Sequence, residues 1–304
     1  MTRPCARQKP PGNREVAAPA DLQTDAPSSP PGLPPFLLVA LDVDGTLLRE
    51  DKQLTRRCAD AVIQTTQRGA RVVLASARPP RTLRDIASHL KLDTLQINYN
   101  GAMIHDPRRN RHVYHRPMDG DLVHRIVKAA RRIEAGILVS IEILDKWYTD
   151  HFDRQHEELP TETSRRFTPD FVGPLESFLH VPVTKLMLLA RPKRLAPVRA
   201  MIEKKFSRSI RLAVSDNHLI QVVHPSVDKA EALKRVAREY GVPREKVMAI
   251  GDAPNDVGML RWAGLGVAMQ NAWEETHHAA DVIAPSNDQD GVAVALEKWV
   301  LRNC

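Results

Sequence analysis

Short apolar runs alternate with longer stretches of helical spacing in the first third of the chain. Residues 37–41, 71–75 and 95–99 have the length and composition of buried strands. Between them, residues 55–69 and 82–90 place apolar side chains at helical spacing. Strands that alternate with helices in this way predict a parallel, doubly wound α/β sheet.

The same alternation returns near the end of the chain, where residues 229–240 have a helical pattern and residues 247–250 are another short apolar run. The region between these flanks has a different character. Helical spacing or strand-like alternation is found there over residues 123–135, 136–143, 185–189, 196–206 and 219–223. We therefore predict a doubly wound core of residues 36–106 and 224–304, into which an α+β module of residues 107–223 is inserted.

The composition narrows the class of protein. A chain of 304 residues is long enough for two domains, and 42% hydrophobic with 27% charged residues is typical of a globular protein. No apolar run approaches the roughly 20 residues that cross a bilayer, so no membrane partner is expected. Three widely spaced cysteines have no metal-binding spacing and are odd in number, which favours a reducing, cytoplasmic location.

Residues 1–35 differ from the rest of the chain. They are rich in Pro, Ala and Ser and contain almost no large apolar side chain. Such a segment cannot bury enough apolar surface to offset the entropy lost on ordering, so we predict a disordered tail. It lacks the apolar central region of a secretory signal.

The net charge of +7 is concentrated in the inserted module, because residues 107–223 alone carry a net +7. A basic segment attracts either nucleic acid or a small anionic substrate. The paired arginines at 108–109, 131–132 and 165–166 are typical of solvated faces, and no aromatic residues interleave with them as in single-strand binders. We therefore expect a small anionic substrate and no nucleic-acid partner.

Candidate chemistry begins at the end of the first predicted strand, where Asp42 and Asp44 follow the apolar run. In open α/β sheets the carboxyl ends of the strands face the ligand crevice. Two acids that are two residues apart in an extended chain project to one side, and Mg²⁺ suits such a pair. The alternative is an ordinary Asp-Gly turn. A calcium loop fits worse, because Leu47 and Gln53 occupy the positions of its Gly and its closing Glu.

Further polar groups follow the other predicted strands or open a helix: Ser76, Lys229, Asp252, Asn255 and Asp256. Each has an ordinary structural explanation on its own. A Ser caps helices, a Lys is usually solvated, and an Asp beside a Gly is common in turns. Taken together at one edge of a sheet, they supply a nucleophile, a metal site and donors for phosphoryl oxygens.

These motifs resemble the haloacid dehalogenase-like superfamily, and within it the Cof-type phosphatases with a large α/β cap (subclass IIB). The resemblance extends from about residue 36 to residue 304 and implies a Rossmann-like core with a cap formed by the inserted module. The matching segments are residues 42–47 (DVDGTL), 76–79 (SARP), 98–102, 229, 250–256 (IGDAPND), 263–272, 280–281, 286–287 and 290–292.

The resemblance implies roles for the acids. Asp42 would attack the phosphoryl group to form an aspartyl-phosphate, and Asp44 would protonate the leaving alcohol and then activate water. Mg²⁺ would be held by the Asp42 carboxylate, the backbone carbonyl of Asp44 and Asp252, with Asp256 in support.

Phosphate binding is implied for three other residues. Ser76 and Lys229 would bind the phosphoryl oxygens, and Asn255 would help to orient them. One departure from the family lies between Ser76 and Arg78, where Ala77 replaces a common Gly and leaves the phosphate geometry open.

We therefore expect a Mg²⁺-dependent phosphatase of small phosphorylated metabolites, with sugar phosphates as the leading class. A phosphomutase of the phosphomannomutase type and a non-catalytic binding protein on the same scaffold are the alternatives. Groups that contact only phosphate and metal cannot select among esters, so selection must come from elsewhere. The candidates are Asn100, Gly101, Trp147, Tyr148, His151 and Lys185. The sequence makes no prediction of oligomeric state.

Overall fold

The computed structural model describes residues 35–152, 167–216 and 218–302, so residues 1–34 of the predicted tail lie outside it. The strands in this part of the chain are β1 (Leu38–Leu41), β2 (Arg71–Leu74), β3 (Gln96–Asn98), β4 (Met103–Asp106), β5 (Arg111–His115), β6 (Leu138–Ile143), β7 (Lys146–Thr149), β8 (Phe171–Val172), β9 (Lys185–Leu189), β10 (Arg211–Asp216), β11 (Leu219–Val223), β12 (Val247–Gly251), β13 (Leu265–Met269) and β14 (Val282–Ala284). The helices are α1 (Arg56–Gln67), α2 (Pro80–His89), α3 (Gly120–Ile133), α4 (Pro192–Phe206), α5 (Lys229–Glu239), α6 (Val257–Trp262), α7 (Glu274–His277) and α8 (Gly291–Leu296).

A five-stranded parallel sheet has the order β14-β13-β12-β1-β2. Strand β1 lies in its interior, with Leu38 opposite Val247 of β12 on one side and Arg71 of β2 on the other. Because the three strands run parallel and in register, their carboxyl ends meet at one edge. Helices pack on both faces of this sheet, which confirms the predicted doubly wound α/β class.

The alternation of side chains along β1 explains the two helical layers. Val39 and Leu41 belong to a buried cluster formed with residues of α1, α2 and α8. Leu38 and Ala40 point to the opposite face, where a second cluster contains residues of α5 and α6. All four side chains are fully buried, and burying a Val or Leu stabilises a fold by roughly 1.5–3 kcal/mol.

A second, six-stranded sheet has the order β10-β11-β9-β6-β7-β8 and is antiparallel except between β7 and β8. One face carries apolar residues such as Val139 and Leu186, which pack against α3 and α4. We call this α+β unit the cap. Its class agrees with the α+β class predicted for the inserted region, while the bounds of that module at residues 107 and 223 remain a prediction. Polar residues lie on its other face, among them Glu142 and Lys185, which are opposite each other in the register of β6 and β9.

Strand β3 departs from the expected parallel sheet. It pairs antiparallel with β4, which pairs antiparallel with β5, and these three strands form a separate sheet. A single parallel bridge between Ala75 and Ile97 connects β3 to the end of β2. The β4–β5 hairpin spans residue 107, where we predict the boundary between the core and the inserted module.

Local signals explain where two helices begin. Helix α1 follows Thr55, whose side chain accepts a hydrogen bond from the backbone N–H of Cys58. Helix α4 begins at Pro192, four residues before the predicted start, because proline is favoured in the first turn of a helix. In the parts of the chain that the structure describes, every helix is too short or too polar to cross a membrane.

Candidate active site

Three buried carboxylates meet at the carboxyl edge of the parallel sheet. Asp42 directly follows β1, Asp252 directly follows β12, and Asp256 lies in the loop that leads to α6. One carboxylate oxygen from each lies within 4.8 Å of the others. Oxygen atoms are the ligands that Mg²⁺ prefers, so the donor set fits a hard divalent cation.

A buried ammonium group lies among these acids. The Lys229 Nζ atom is 2.5 Å from Oδ1 of Asp42 and 2.7 Å from Oδ1 of Asp256. Lys229 opens α5, where the Asp228 side chain caps the helix by accepting a hydrogen bond from the backbone N–H of Ala230. Burial alone would lower the pKa of Lys229, but the charges of Asp256 and Asp42 outweigh it and raise the pKa above its usual value. The side chain is therefore a permanent cation.

Two of these acids, Asp42 and Asp252, have raised pKa values. Burial raises the pKa of Asp42 well above its usual range, and the attraction of Lys229 only partly opposes this effect. Burial also raises the pKa of Asp252 to about 6, although Thr46 donates a hydrogen bond of 2.7 Å to its Oδ1 atom. Because three buried anions share one ammonium, a further cation would stabilise their ionised forms.

Asp256 also shapes the loop. Its Oδ2 atom accepts hydrogen bonds from the backbone N–H groups of Asp252 (3.1 Å) and Ala253 (3.0 Å), while its Oδ1 atom contacts Lys229. Its side chain is fully buried. Asp256 thus fixes the backbone that presents Asp252.

Asp44 has a separate environment. The Arg78 guanidinium donates two hydrogen bonds to its carboxylate, at 2.7 and 2.6 Å, and Lys52 Nζ lies 3.0 Å away. The extended spacing predicted that the side chains of Asp42 and Asp44 project to one side. The chain turns directly after β1, however, and the two carboxylates have different hydrogen-bond partners. Burial would raise the pKa of Asp44, but Arg78 and then Lys52 outweigh it and lower the pKa to about 2.

Arg78 belongs to the matched SARP motif, but it was not among the predicted site residues. Its side chain is 8% exposed and forms the fork that holds Asp44. Its position in the sequence could have identified Arg78 as a site residue. It follows the end of a strand and lies two residues after Ser76, a candidate phosphate ligand.

Ser76 lies two residues after the end of β2, at the same sheet edge, and it is buried. Its Oγ atom accepts a hydrogen bond of 3.2 Å from the backbone N–H of Arg78. The backbone of Ala77 does not have a positive φ, so Ala in place of the common Gly causes no strain at this turn.

Asn255 and Asn100 are brought together, because the Asn255 side-chain amide donates a hydrogen bond of 2.8 Å to Oδ1 of Asn100. Asn100 has φ 58° and ψ 26°, in the left-handed region. The next residue, Gly101, lies against the backbone carbonyl of Asp228, where a Cβ atom would clash. This turn therefore packs directly beside the start of α5 and Lys229.

The four cap residues that were predicted to select the substrate lie in different parts of the cap. Trp147 is opposite Glu142 in the register of β6 and β7, so it shares the polar face of the cap sheet with Lys185. Tyr148 lies on the opposite face, where its ring packs against Phe178 with centroids 4.6 Å apart. His151 is exposed and lies two residues before the segment 153–166, which is outside the described part of the chain.

Lys185 reaches the core. Its Nζ atom lies 5.1 Å from the ring centre of Tyr99, which directly precedes Asn100. Burial lowers the pKa of Lys185 to about 8. Among the residues that the structure describes, Lys185 has this contact with Tyr99 but no hydrogen bond or ion pair, so its ammonium group has donors to offer.

Fold and site together define an α/β protein with an acidic site at the carboxyl edge of its sheet and an inserted cap. The family model for haloacid dehalogenase-like hydrolases matches residues 39–296, and the chain belongs to this family, as its motifs had indicated.

Two relatives from Bacillus subtilis are each named 5-amino-6-(5-phospho-D-ribitylamino)uracil phosphatase. YitU is 29% identical over 265 residues, covering 86% of this chain and 97% of the relative. YcsE is 27% identical over 275 residues, covering 87% and 96%. A solved haloacid dehalogenase-like hydrolase from Bacteroides thetaiotaomicron has a TM-score of 0.78 at 29% identity, covering 86% of this chain and 99% of that one.

Gly45 offers a test of how tightly the site is packed. It has φ +83°, and an added Cβ atom would overlap the carboxylate of Asp252, with its Cγ atom at 2.8 Å. Gly69 is a matched control, because it has φ +92° but no neighbouring atom within 4 Å. A left-handed backbone costs a residue with a side chain roughly 1–2 kcal/mol.

We predict that Gly45→Ala lowers the free energy of unfolding by at least about 1 kcal/mol more than Gly69→Ala does, because Asp252 must also move. Urea denaturation of both variants measures the difference. Equal losses of unfolding free energy in the two variants would show that the Asp252 side chain moves aside at no cost.

Proposed function

We propose that the protein is a Mg²⁺-dependent phosphoric monoester hydrolase of small phosphorylated metabolites, acting through an aspartyl-phosphate intermediate. The observation that carries this proposal is the cluster of Asp42, Asp252 and Asp256 around Lys229 at the carboxyl edge of the sheet. A nucleophilic carboxylate, a site for a divalent cation and an ammonium donor are the groups that phosphoryl transfer requires.

Asp42 is the proposed nucleophile. A carboxylate oxygen of Asp42 forms a bond to phosphorus while the bond from phosphorus to the ester oxygen breaks. Lys229 holds the other oxygen in place, since it donates to Oδ1. When bound by Asp42, Asp252 and the backbone carbonyl of Asp44, with Asp256 in support, Mg²⁺ would reduce the repulsion between this carboxylate and an anionic substrate.

Asp44 is the proposed acid and base. Arg78 and Lys52 keep it ionised, which is the form that accepts a proton from the water that hydrolyses the phosphoenzyme. Protonating the leaving alcohol in the first step requires a proton on Asp44. We propose that the incoming ester weakens the Arg78 contact and so raises the pKa of Asp44 for this step.

Lys229, Ser76 and Asn255 are the proposed phosphate ligands. The Lys229 ammonium has three N–H donors, and two of them are used by Asp42 and Asp256, so one remains for a phosphoryl oxygen. Ser76 accepts a hydrogen bond from Arg78 and keeps its own O–H proton to donate. Asn255 is fixed by Asn100.

Sugar phosphates and phosphorylated sugar alcohols are the proposed substrate class. Two relatives are named for a substrate with a phosphorylated ribityl chain, which supports this class. The net +7 of residues 107–223 attracts anions at low ionic strength. Release of free phosphate from such an ester, and not its transfer within the sugar, distinguishes a phosphatase from a phosphomutase. A cytoplasmic location stays part of this proposal.

We predict that Asp42→Asn lowers kcat by roughly 10³-fold or more, because the covalent intermediate cannot form. Phosphate release is measured with the best ester of a panel, and circular dichroism verifies the fold. Asp60→Asn on the exposed face of α1 is the control and should keep wild-type activity. Retention of most activity in a folded Asp42→Asn variant would rule out this nucleophile.

We predict that EDTA abolishes turnover, that Mg²⁺ restores it and that Ca²⁺ inhibits it, because the looser coordination shell of Ca²⁺ disturbs in-line attack. We also predict that Mg²⁺ raises the Tm more at pH 8 than at pH 5.5. The raised pKa of Asp252, about 6, means that its protonated form favours the folded state and that this stability is lost as the pH rises through 6.

At pH 5.5 the cation must displace protons from the cluster, whereas at pH 8 it meets ionised carboxylates. Differential scanning fluorimetry with and without Mg²⁺ at the two pH values measures the effect. Turnover in EDTA, or a larger Tm shift at pH 5.5, would contradict the proposed cation site.

We predict that Lys185→Met changes the relative kcat/KM values across a panel of phosphate esters by about 10-fold or more, because a buried donor to the leaving group is lost. Lys146→Met is the control, since Lys146 is an exposed cap lysine paired with Asp170. The dependence on Mg²⁺ should not change in either variant. Unaltered ratios across the panel would exclude Lys185 from the specificity surface.

A further inference from the structure

Arg81 connects the core to the cap through four hydrogen bonds. Its backbone N–H donates to Oδ1 of Asp145 at 3.0 Å, and one guanidinium nitrogen donates to Oε1 of Glu142 at 2.7 Å. The other terminal nitrogen reaches the backbone carbonyl and the carboxylate of Asp145, at 3.2 and 3.3 Å. The Arg81 side chain is only 11% exposed, so these contacts are shielded from water.

Glu142 makes this connection specific. Glu142 is fully buried in the polar face of the cap sheet, and its Oε2 atom lies 3.1 Å from the hydroxyl of Tyr99. The same hydroxyl lies 2.7 Å from the backbone carbonyl of Leu144. A fully buried carboxylate requires a partner of opposite charge, and Arg81 is its ion-pair partner within the described residues.

The two core residues that contact Glu142 are each close in the chain to the proposed catalytic machinery. Arg81 lies three residues after Arg78, the residue that holds Asp44, and opens α2 together with Pro80. Tyr99 directly precedes Asn100, which fixes Asn255. The cap is therefore anchored to the core directly beside the proposed site.

We propose that Arg81 is a positioning residue, which holds the cap in place over the site by its pairing with Glu142 and Asp145. This inference rests on the proposed function, in that the cap receives the leaving group of a phosphate ester. Esters whose leaving group reaches the cap depend on this pairing. A phosphorylated compound with a minimal leaving group, such as an acyl phosphate, depends on the core alone.

The pairing of Arg81 with Glu142 also affects Lys185. It lies opposite Glu142 in the register of β9 and β6, yet its Nζ atom faces the Tyr99 ring while Glu142 is bound by Arg81 and Tyr99. Occupation of both Glu142 oxygens keeps the Lys185 ammonium available for a ligand.

Arg84 provides a matched control on the same helix. Its guanidinium lies 3.8 Å from Oδ2 of Asp145, but its side chain is 73% exposed. An exposed ion pair of this kind contributes little to stability. Arg84→Met therefore removes an Arg beside the same acid without breaking the buried contacts.

The test compares kcat and KM for acetyl phosphate with those for a sugar phosphate that the wild type hydrolyses, at saturating Mg²⁺. Arg81→Met should lower kcat/KM for the sugar phosphate by about 10- to 100-fold, and that for acetyl phosphate by less than about 3-fold. Arg84→Met should resemble the wild type with both. Equal losses with the two substrates, or no loss, would overturn the proposal.

Arg81→Met leaves Glu142 as an unpaired buried charge and can therefore lower the stability of the protein. A second variant separates this effect from the effect on selectivity. Arg81→Met combined with Glu142→Gln removes that charge and should recover most of the lost Tm, but not the lost selectivity. Recovery of selectivity together with Tm would show a purely structural role.

Amide hydrogen exchange gives a readout that does not depend on turnover. Exchange over residues 142–146 and 78–82 should accelerate in Arg81→Met and stay unchanged in Arg84→Met. If the wild type hydrolyses neither substrate, the proposed function fails while hydrogen exchange still decides the role of Arg81. Unchanged exchange in Arg81→Met would overturn that role.

Discussion

The buried ammonium of Lys229 is the contact on which the rest of the site depends. It joins Asp42, which is 187 positions away in the chain, to Asp256 in the loop after β12. Without this cation, the three acids at the sheet edge would be buried anions with no compensating charge, and removal of one partner of a buried pair is strongly destabilising. Lys229 therefore fixes how β1, α5 and the loop after β12 meet.

Two aspartates that are two residues apart acquire opposite properties from their surroundings. Asp42 is buried among other acids, so its pKa is raised, whereas Asp44 faces Arg78 and Lys52, which lower its pKa to about 2. A pair of carboxylates with separated pKa values is suited to divided roles in catalysis. Here the division follows from the turn directly after β1, which sends the two side chains to different partners.

The contact between core and cap is built from charged and polar groups as well as apolar ones. Buried ion pairs such as Arg81 with Glu142 add little net stability compared with apolar packing, but their geometry tolerates few alternatives. Such a contact selects one arrangement of the cap. It also leaves Lys185 facing Tyr99 beside the proposed catalytic loops, where we propose that the leaving group of a phosphate ester binds.

Local patterns in the sequence were enough to predict β1, β2, β12, most helices and the acids that follow the strands, because burial periodicity and turn residues act over a few neighbouring positions. Local patterns could not supply the antiparallel pairing of β3, the Arg78 fork on Asp44, the link from Arg81 to Glu142, or the face on which Tyr148 lies. Each of these depends on the register between segments that are distant in the chain. The tertiary structure alone decides that register, since it reflects the packing of the whole core and cap.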